Sequence, residues 1–277
     1  MVRVVLETVL KFCAYFVRYP VVRKAYVNLE MFVSALLGKG GGSGWDSEGQ
    51  ISALLSVCHP NQHQSRIVFD IGGNNGKWAA ELYDQLGDTD AHFYIFECAP
   101  YCFEDLARNT KHIRNKNIIH KAVSNCDGEL ELHIPILEHG GSGLASIHER
   151  NDTSVKQYKY TTMRVPTTSI DSFCNISNIK SIDILKIDVE GHEKHVLEGC
   201  RDLLKKKAIQ TVFFEFGSAN LNSRTIFRDF WDLFTSNGFH LFRVLPGGGV
   251  LRIDQYTDHD EYYRGASNYI ARLNGES

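Results

Sequence analysis

The segment Ile67-Val68-Phe69-Asp70-Ile71-Gly72-Gly73-Asn74-Asn75-Gly76 constrains the fold more than any other stretch. A short apolar run that reaches a carboxylate and then passes through glycines reads as a strand ending in a tight turn. Trp78, Leu82 and Leu86 follow at helical spacing, so the turn leads into a helix. A strand, turn and helix joined this closely imply a parallel neighbour strand after the helix. His92 to Cys98 supplies it. Tyr101 to Asn109 then reads as a second helix and Ile118 to Ser124 as a third strand.

The alternation continues with Ser181 to Val189 as a fourth strand, Glu193 to Lys207 as a helix and Gln210 to Phe216 as a fifth strand. A helix carrying Ile226, Phe227, Phe230, Trp231 and Phe234 follows, then strands at His240–Leu245, Val250–Ile253 and Tyr269–Leu273, the last ones antiparallel. Residues 125–168 hold one extra short strand, Glu129 to Ile134, and a long loop of the kind that often carries function. At 277 residues the chain has room for one large α/β domain with additions.

Two strand ends carry the sharpest chemistry. Asp70 ends the first strand, and Glu97 ends the second, 21 residues beyond Gly76, where a carboxylate can accept both hydroxyls of a ribose. Glycines at the turn let a ligand approach the backbone without meeting Cβ atoms. A nicotinamide dinucleotide would require GxGxxG from Gly72, which Asn74 and Asn75 break, and Asp70 would sit poorly beside a pyrophosphate. A ligand with a cationic amino-sulfonium end and a ribose suits the two carboxylates better; S-adenosylmethionine is such a ligand.

At these residues, together with Phe96-Glu97-Cys98-Ala99-Pro100, Ala122-Val123-Ser124, Ile170-Asp171 and Leu185-Lys186-Ile187-Asp188-Val189-Glu190-Gly191, the sequence resembles FkbM-type methyltransferases in motif order and spacing. The resemblance spans residues 65–273. It implies a Rossmann-like fold with a mostly parallel seven-stranded sheet and an antiparallel C-terminal strand. It also implies O-methylation of a hydroxyl, on a sugar, glycan or glycosylated natural product. Carried over by position, Asp70, Gly72, Asn74 and Gly76 line the methionine end of S-adenosylmethionine, Glu97 the ribose, and Val123 and Ser124 the adenine side.

Methyl transfer to an alcohol needs a group that removes the hydroxyl proton. Asp188, at the end of the fourth strand, stands where open α/β sheets bind ligands and is favoured as base or acceptor-orienting group. His192 is its rival, and Glu190 either joins the site or serves the first helical turn. A divalent cation on Asp188 and Glu190 is the other reading, but two carboxylates alone are a weak metal signature. Ser142, Ser146 and His148 belong to a loop that can touch the acceptor. GxSxG is absent, which argues against a hydrolase elbow at Ser142. A protein- or nucleic-acid-directed methyltransferase and a catalytically silent nucleoside-binding protein are the alternatives.

Charge is uneven. Residues 1–44 carry six Lys/Arg against two Glu, a net of +4, and the chain total of −3 leaves −7 for residues 45–277, which disfavours a nucleic-acid partner. Val2, Val5, Leu6, Val9, Leu10, Cys13, Phe16 and Val17 recur at helical spacing. Lys11 and Arg18 interrupt this stretch well short of the roughly 20 apolar residues of a membrane span. We expect residues 1–37 to dock on the chain's own domain or a twin subunit, giving a homo-oligomer, or to lie on an anionic membrane. Gly38 to Gly44 reads as a flexible linker before a methyltransferase domain at residues 45–277. Seven cysteines without a CxxC pair point to a reducing, cytoplasmic setting, membrane-peripheral if the helix binds lipid.

Overall fold

The computed structural model describes residues 2–41, 47–58, 66–87, 90–136, 144–151 and 158–274. Three helices open the chain: α1 (Val2–Phe16), α2 (Pro20–Leu36) and α3 (Ser47–Val57). The body follows as β1 (Ile67–Ile71), α4 (Lys77–Leu86), β2 (His92–Phe96), α5 (Phe103–Asn109), β3 (Asn115–Ile119), β4 (Ala122–Val123), β5 (Gly128–Pro135) and β6 (Tyr160–Thr168). Then come α6 (Ile170–Ile176), β7 (Ile182–Ile187), α7 (Glu193–Glu198), α8 (Arg201–Lys205), β8 (Ile209–Gly217), α9 (Phe227–Ser236), β9 (Phe239–Val244), β10 (Val250–Ile253) and β11 (Ala266–Leu273).

The main sheet has eight strands in the order β10-β9-β11-β8-β7-β1-β2-β3. β3, β2, β1, β7 and β8 pair in parallel; β11 runs antiparallel between β8 and β9, and β10 adds an antiparallel edge. This is the Rossmann-like arrangement anticipated from the alternation, with β10 as an eighth strand where seven were expected. Phe69, Ile71, Leu185, Ile187, Phe214 and Tyr269 fill the core beneath α6 to α9. Ile51, Leu54, Val68 and Phe93 pack the opposite face under α3 and α4.

The structure corrects three expectations. The third strand stops at Ile119, because the Lys121 amide turns back to the Ile119 carbonyl at 2.9 Å; Ala122 and Val123 leave the main sheet and pair with Thr167 and Thr168. A second sheet, β4-β6-β5, therefore stands where the sequence showed one strand and a loop. Pro166 hid β6, since proline within a run argues against a paired strand. The helix expected over Glu193–Lys207 breaks at Gly199-Cys200. A Cβ at Gly199 would lie 2.2 Å from the Ser124 carbonyl, and Asp171 accepts the Asp202 and Leu203 amides at 2.8 and 3.1 Å to start α8.

The amino-terminal segment contains two helices, and the first linker glycines are held. A Cβ at Gly38 would lie 2.2 Å from the Val244 carbonyl, and the Gly40 amide donates to Ser267 Oγ at 2.8 Å.

Candidate active site

Glycine at the β1 turn answers first to the protein's own packing. Gly72 (φ 77°) occupies the left-handed region, and a Cβ there would meet the Asp188 carbonyl at 1.9 Å. The amides of Gly72 and Gly73 both donate to the Phe96 carbonyl at 2.9 Å, which sews the end of β1 to the end of β2. Asn74 is itself left-handed (φ 47°), a conformation asparagine tolerates, so it can stand where a glycine would be expected. Gly76 (φ 77°) fits beneath Leu106 and Thr110, under α5.

Glu97 organises the same corner. Its Oε2 accepts the Asn74 amide at 2.7 Å, and Oε1 accepts those of Cys98 and Ala99 at 2.8 and 2.7 Å. Burial raises its pKa, while the three amides pull it back by stabilising the carboxylate. A carboxylate offers about four lone-pair sites, so acceptor capacity remains for one ligand hydroxyl.

Across the cavity the chemistry is ionic. Strand register puts Asp70 beside Lys186, and Lys186 Nζ lies 2.9 Å from Asp70 Oδ1, 3.5 Å from Asp188 Oδ2 and 3.0 Å from the Gly72 carbonyl. Burial alone would lower the Lys186 pKa, but Asp70 and Asp188 raise it, so the ammonium is retained. One step further along the strands, the carboxylates of Asp188, Glu190 and Glu215 have oxygens within 4.8 Å of one another. Arg150, 3% exposed, forms an ion pair with Glu190. Glu215 has no ion pair among the described residues; burial, then Asp188, Glu190 and Glu193, push its pKa well up. Glu190 is pushed up to about 8 by burial and Asp188, against the pull of Arg150.

Glu190 (φ 54°) and Gly191 (φ 101°) make a strained turn after β7. Glu193 holds it by accepting the amides of Val189 and Gly191 at 3.2 and 3.1 Å, and is itself held by Asn220 Nδ2 at 2.8 Å. His192 has both ring nitrogens engaged, with Ser124 Oγ at 2.9 Å and His148 Nε2 at 3.1 Å. Burial, then His195 and His148, lowers its pKa to about 3, so it is neutral at physiological pH.

A cavity of about 370 Å³ opens at the carboxyl ends of the strands. Of the residues singled out in the sequence, Gly72, Asn74, Glu97, Val123, Ser146, Asp188, Glu190 and His192 line it. Asp70, fully buried, sits below it on Lys186; Gly76 is under α5; Ser124 and His148 flank His192; and Ser142 lies outside the described residues. The sequence reading missed Arg150, Glu193 and Glu215. Glu193 had a signal in its place three residues after Glu190; nothing local marked the other two.

The sequence matches the methyltransferase FkbM domain over residues 70–241, more than half of the chain. The chain belongs to the FkbM methyltransferase family. It is a methyltransferase, with S-adenosylmethionine as donor. Among similar proteins, the 2-O-methyltransferase NoeI of Sinorhizobium fredii is 24% identical over 72% of this chain and 80% of its own length. The hexuronic acid methyltransferase AglP of Haloferax volcanii is 22% identical over 55% and 57%. A solved methyltransferase FkbM from Methylobacillus flagellatus aligns at TM-score 0.46 and 11% identity, covering 80% of this chain and 48% of that one. Within the matched region, the Asp70–Gly76 turn and the Lys186–Gly191 segment meet around one cavity.

Proposed function

We propose that the chain O-methylates a hydroxyl of a sugar, within a glycan or glycosylated natural product. The observation carrying this reading is the single cavity that brings Gly72, Asn74, Glu97 and Val123 into the same space as Asp188 and Glu190. The names of NoeI and AglP support it, one a 2-O-methyltransferase and the other acting on a hexuronic acid.

The residues fit S-adenosylmethionine. Glu97 keeps acceptor capacity for a ribose hydroxyl, and Val123 and Leu132 offer an apolar wall to a flat ring. When bound, this donor supplies an electrophilic methyl group. Asp188, 43% exposed, reaches the cavity and takes the proton from the acceptor hydroxyl. Lys186 holds Asp188 in place beside the turn, and Arg150 anchors the Glu190 side chain. Ser146 and His148 border the acceptor side, with Ser146 Oγ donating to the Glu190 carbonyl at 2.7 Å.

Three carboxylates within 4.8 Å raise the second reading, a divalent cation at Asp188, Glu190 and Glu215. Arg150 and Lys186 already face two of the three, and for that reason we assign proton transfer to Asp188 without a metal. Methyl transfer from labelled S-adenosylmethionine to fractionated glycans, with and without EDTA, tests both readings. Label on a sugar hydroxyl, unchanged by EDTA, is expected. Label on protein alone would remove the sugar assignment, and loss restored by magnesium would move the carboxylates to a metal.

A further inference from the structure

Of twenty large apolar side chains exposed among the described residues, fifteen lie between Val9 and Leu37. α2 has no buried residue, so the body does not cover it. Phe12, Val21, Leu29 and Phe32 are all more than half exposed. Cys13 on α1 approaches Tyr26 on α2, which requires the chain to fold back between the helices and makes residues 2–37 a two-helix arm. Its base is tied to the body by the Glu30–Arg264 ion pair and by Arg243, which donates to the Leu37 carbonyl. Monomeric soluble proteins rarely leave contiguous apolar surface larger than a few hundred Å² uncovered.

Charge identifies what covers it. Lys11, Arg23 and Lys24 are exposed on the same two helices and Arg18 in the turn between them, and the arm with its linker nets +4. Two arms face to face would bring like charges together, whereas anionic headgroups neutralise them while the apolar side chains enter the interface. Arg18 stacks over Tyr15 at 3.7 Å from the ring centroid, an arrangement suited to the boundary between headgroups and acyl chains. No helix among the described residues is long and apolar enough to cross a bilayer, so the arm would lie on the surface.

We propose that the α1–α2 arm docks the protein on the surface of an anionic lipid bilayer. This goes beyond the proposed reaction and does not depend on it.

The test is co-sedimentation of the full chain with vesicles of phosphatidylcholine alone or mixed with phosphatidylglycerol. The chain should pellet with the mixed vesicles, less so as salt is raised, and little with phosphatidylcholine alone. Replacing Arg23 and Lys24 by Gln should lower partitioning about fivefold per charge. Phe12→Ser with Leu29→Ser should lower it further. None of these side chains is buried, so S-adenosylmethionine binding by each variant should match the unsubstituted chain and report an intact body. Failure to pellet with the mixed vesicles at any lipid concentration overturns the proposal. So does a stable dimer in light scattering that the Ser substitutions dissociate, which would make a second copy the occupant.

Discussion

Where the β1–β2 wall of the cavity meets a ligand with backbone turns and one carboxylate held by three amides, the β7–β8 wall meets it with three crowded carboxylates and two cations. The first wall is assembled from residues 70–99, all close in sequence, and the three amides on Glu97 come from that stretch. The second draws Arg150, Lys186, Asp188, Glu190 and Glu215 from three separate segments, and its carboxylates outnumber its cations. One wall holds a shape; the other holds a proton balance. Substitutions on the first should therefore act on cofactor affinity, and those on the second on turnover.

The largest expected effect is at Asp188. Asp188→Asn keeps the shape of the side chain but cannot take a proton, and general-base assistance is worth about 10² to 10⁴ in rate. Turnover on an acceptor that the unsubstituted enzyme methylates should fall at least about a hundredfold, with S-adenosylmethionine affinity nearly unchanged. A variant with near-full turnover would erase the distinction between the walls and leave Asp188 a structural role.

Lys186 comes next, because it ties the walls together through Asp70, Asp188 and the Gly72 carbonyl. Removing one partner of a buried ion pair typically costs about 3–5 kcal/mol, since the other charge stays buried and unpaired. Lys186→Met should lower unfolding free energy by that order in urea titration, and Asp70→Asn in the same chain should recover part of it. If the double variant is no more stable than Lys186→Met alone, the pair is not what the lysine is for.

The difference between the walls also explains what the sequence could show. The Asp70–Gly76 and Lys186–Gly191 segments were legible because each is contiguous, with a strand ending in polar residues and glycine. Arg150 was not, because its partner Glu190 is 40 positions away and its own surroundings carry no periodic pattern. Glu215 sits inside the apolar run Val212–Phe216, where only the pairing of Ile187 with Phe214 brings it level with Asp188. The glycines were recognised, but their first duty was misread: at Gly72 the atom in the way of a Cβ is the Asp188 carbonyl. The second sheet was lost to Pro166 and to a tight turn at His120 that no composition signal marks.

On the first wall, Glu97→Ala removes the acceptor of three amides and of a ligand hydroxyl. A lost hydrogen bond to a charged group is worth about 1–3 kcal/mol, so the dissociation constant for S-adenosylmethionine should rise roughly tenfold or more. Calorimetry gives the affinity, and turnover at saturating cofactor should stay within a few-fold. A turnover loss as deep as that of Asp188→Asn, with affinity intact, would show that both walls do the same work.

The smallest effect is expected at the seam, where His192 lines the cavity and joins Ser124 of the second sheet to His148. Burial, then His195 and His148, lowers its pKa to about 3 from an ordinary 6.5. The folded chain thus binds fewer protons than the unfolded chain between these values. The stability that the neutral imidazole contributes is complete above pH 6.5 and is lost as pH falls toward 3. Between pH 7.5 and pH 5 that loss is of order 2 kcal/mol. His192→Asn has no ring to protonate and retains a polar group for Ser124, so its urea midpoint should fall less over the same interval. His148, also lowered by burial, remains in both chains, so some acid sensitivity should persist in the variant. Equal losses in the two chains would place the acid sensitivity elsewhere. The same variant also tests the base: turnover within about tenfold of the unsubstituted enzyme keeps proton transfer at Asp188, and a dead His192→Asn beside an active Asp188→Asn would move it to the histidine.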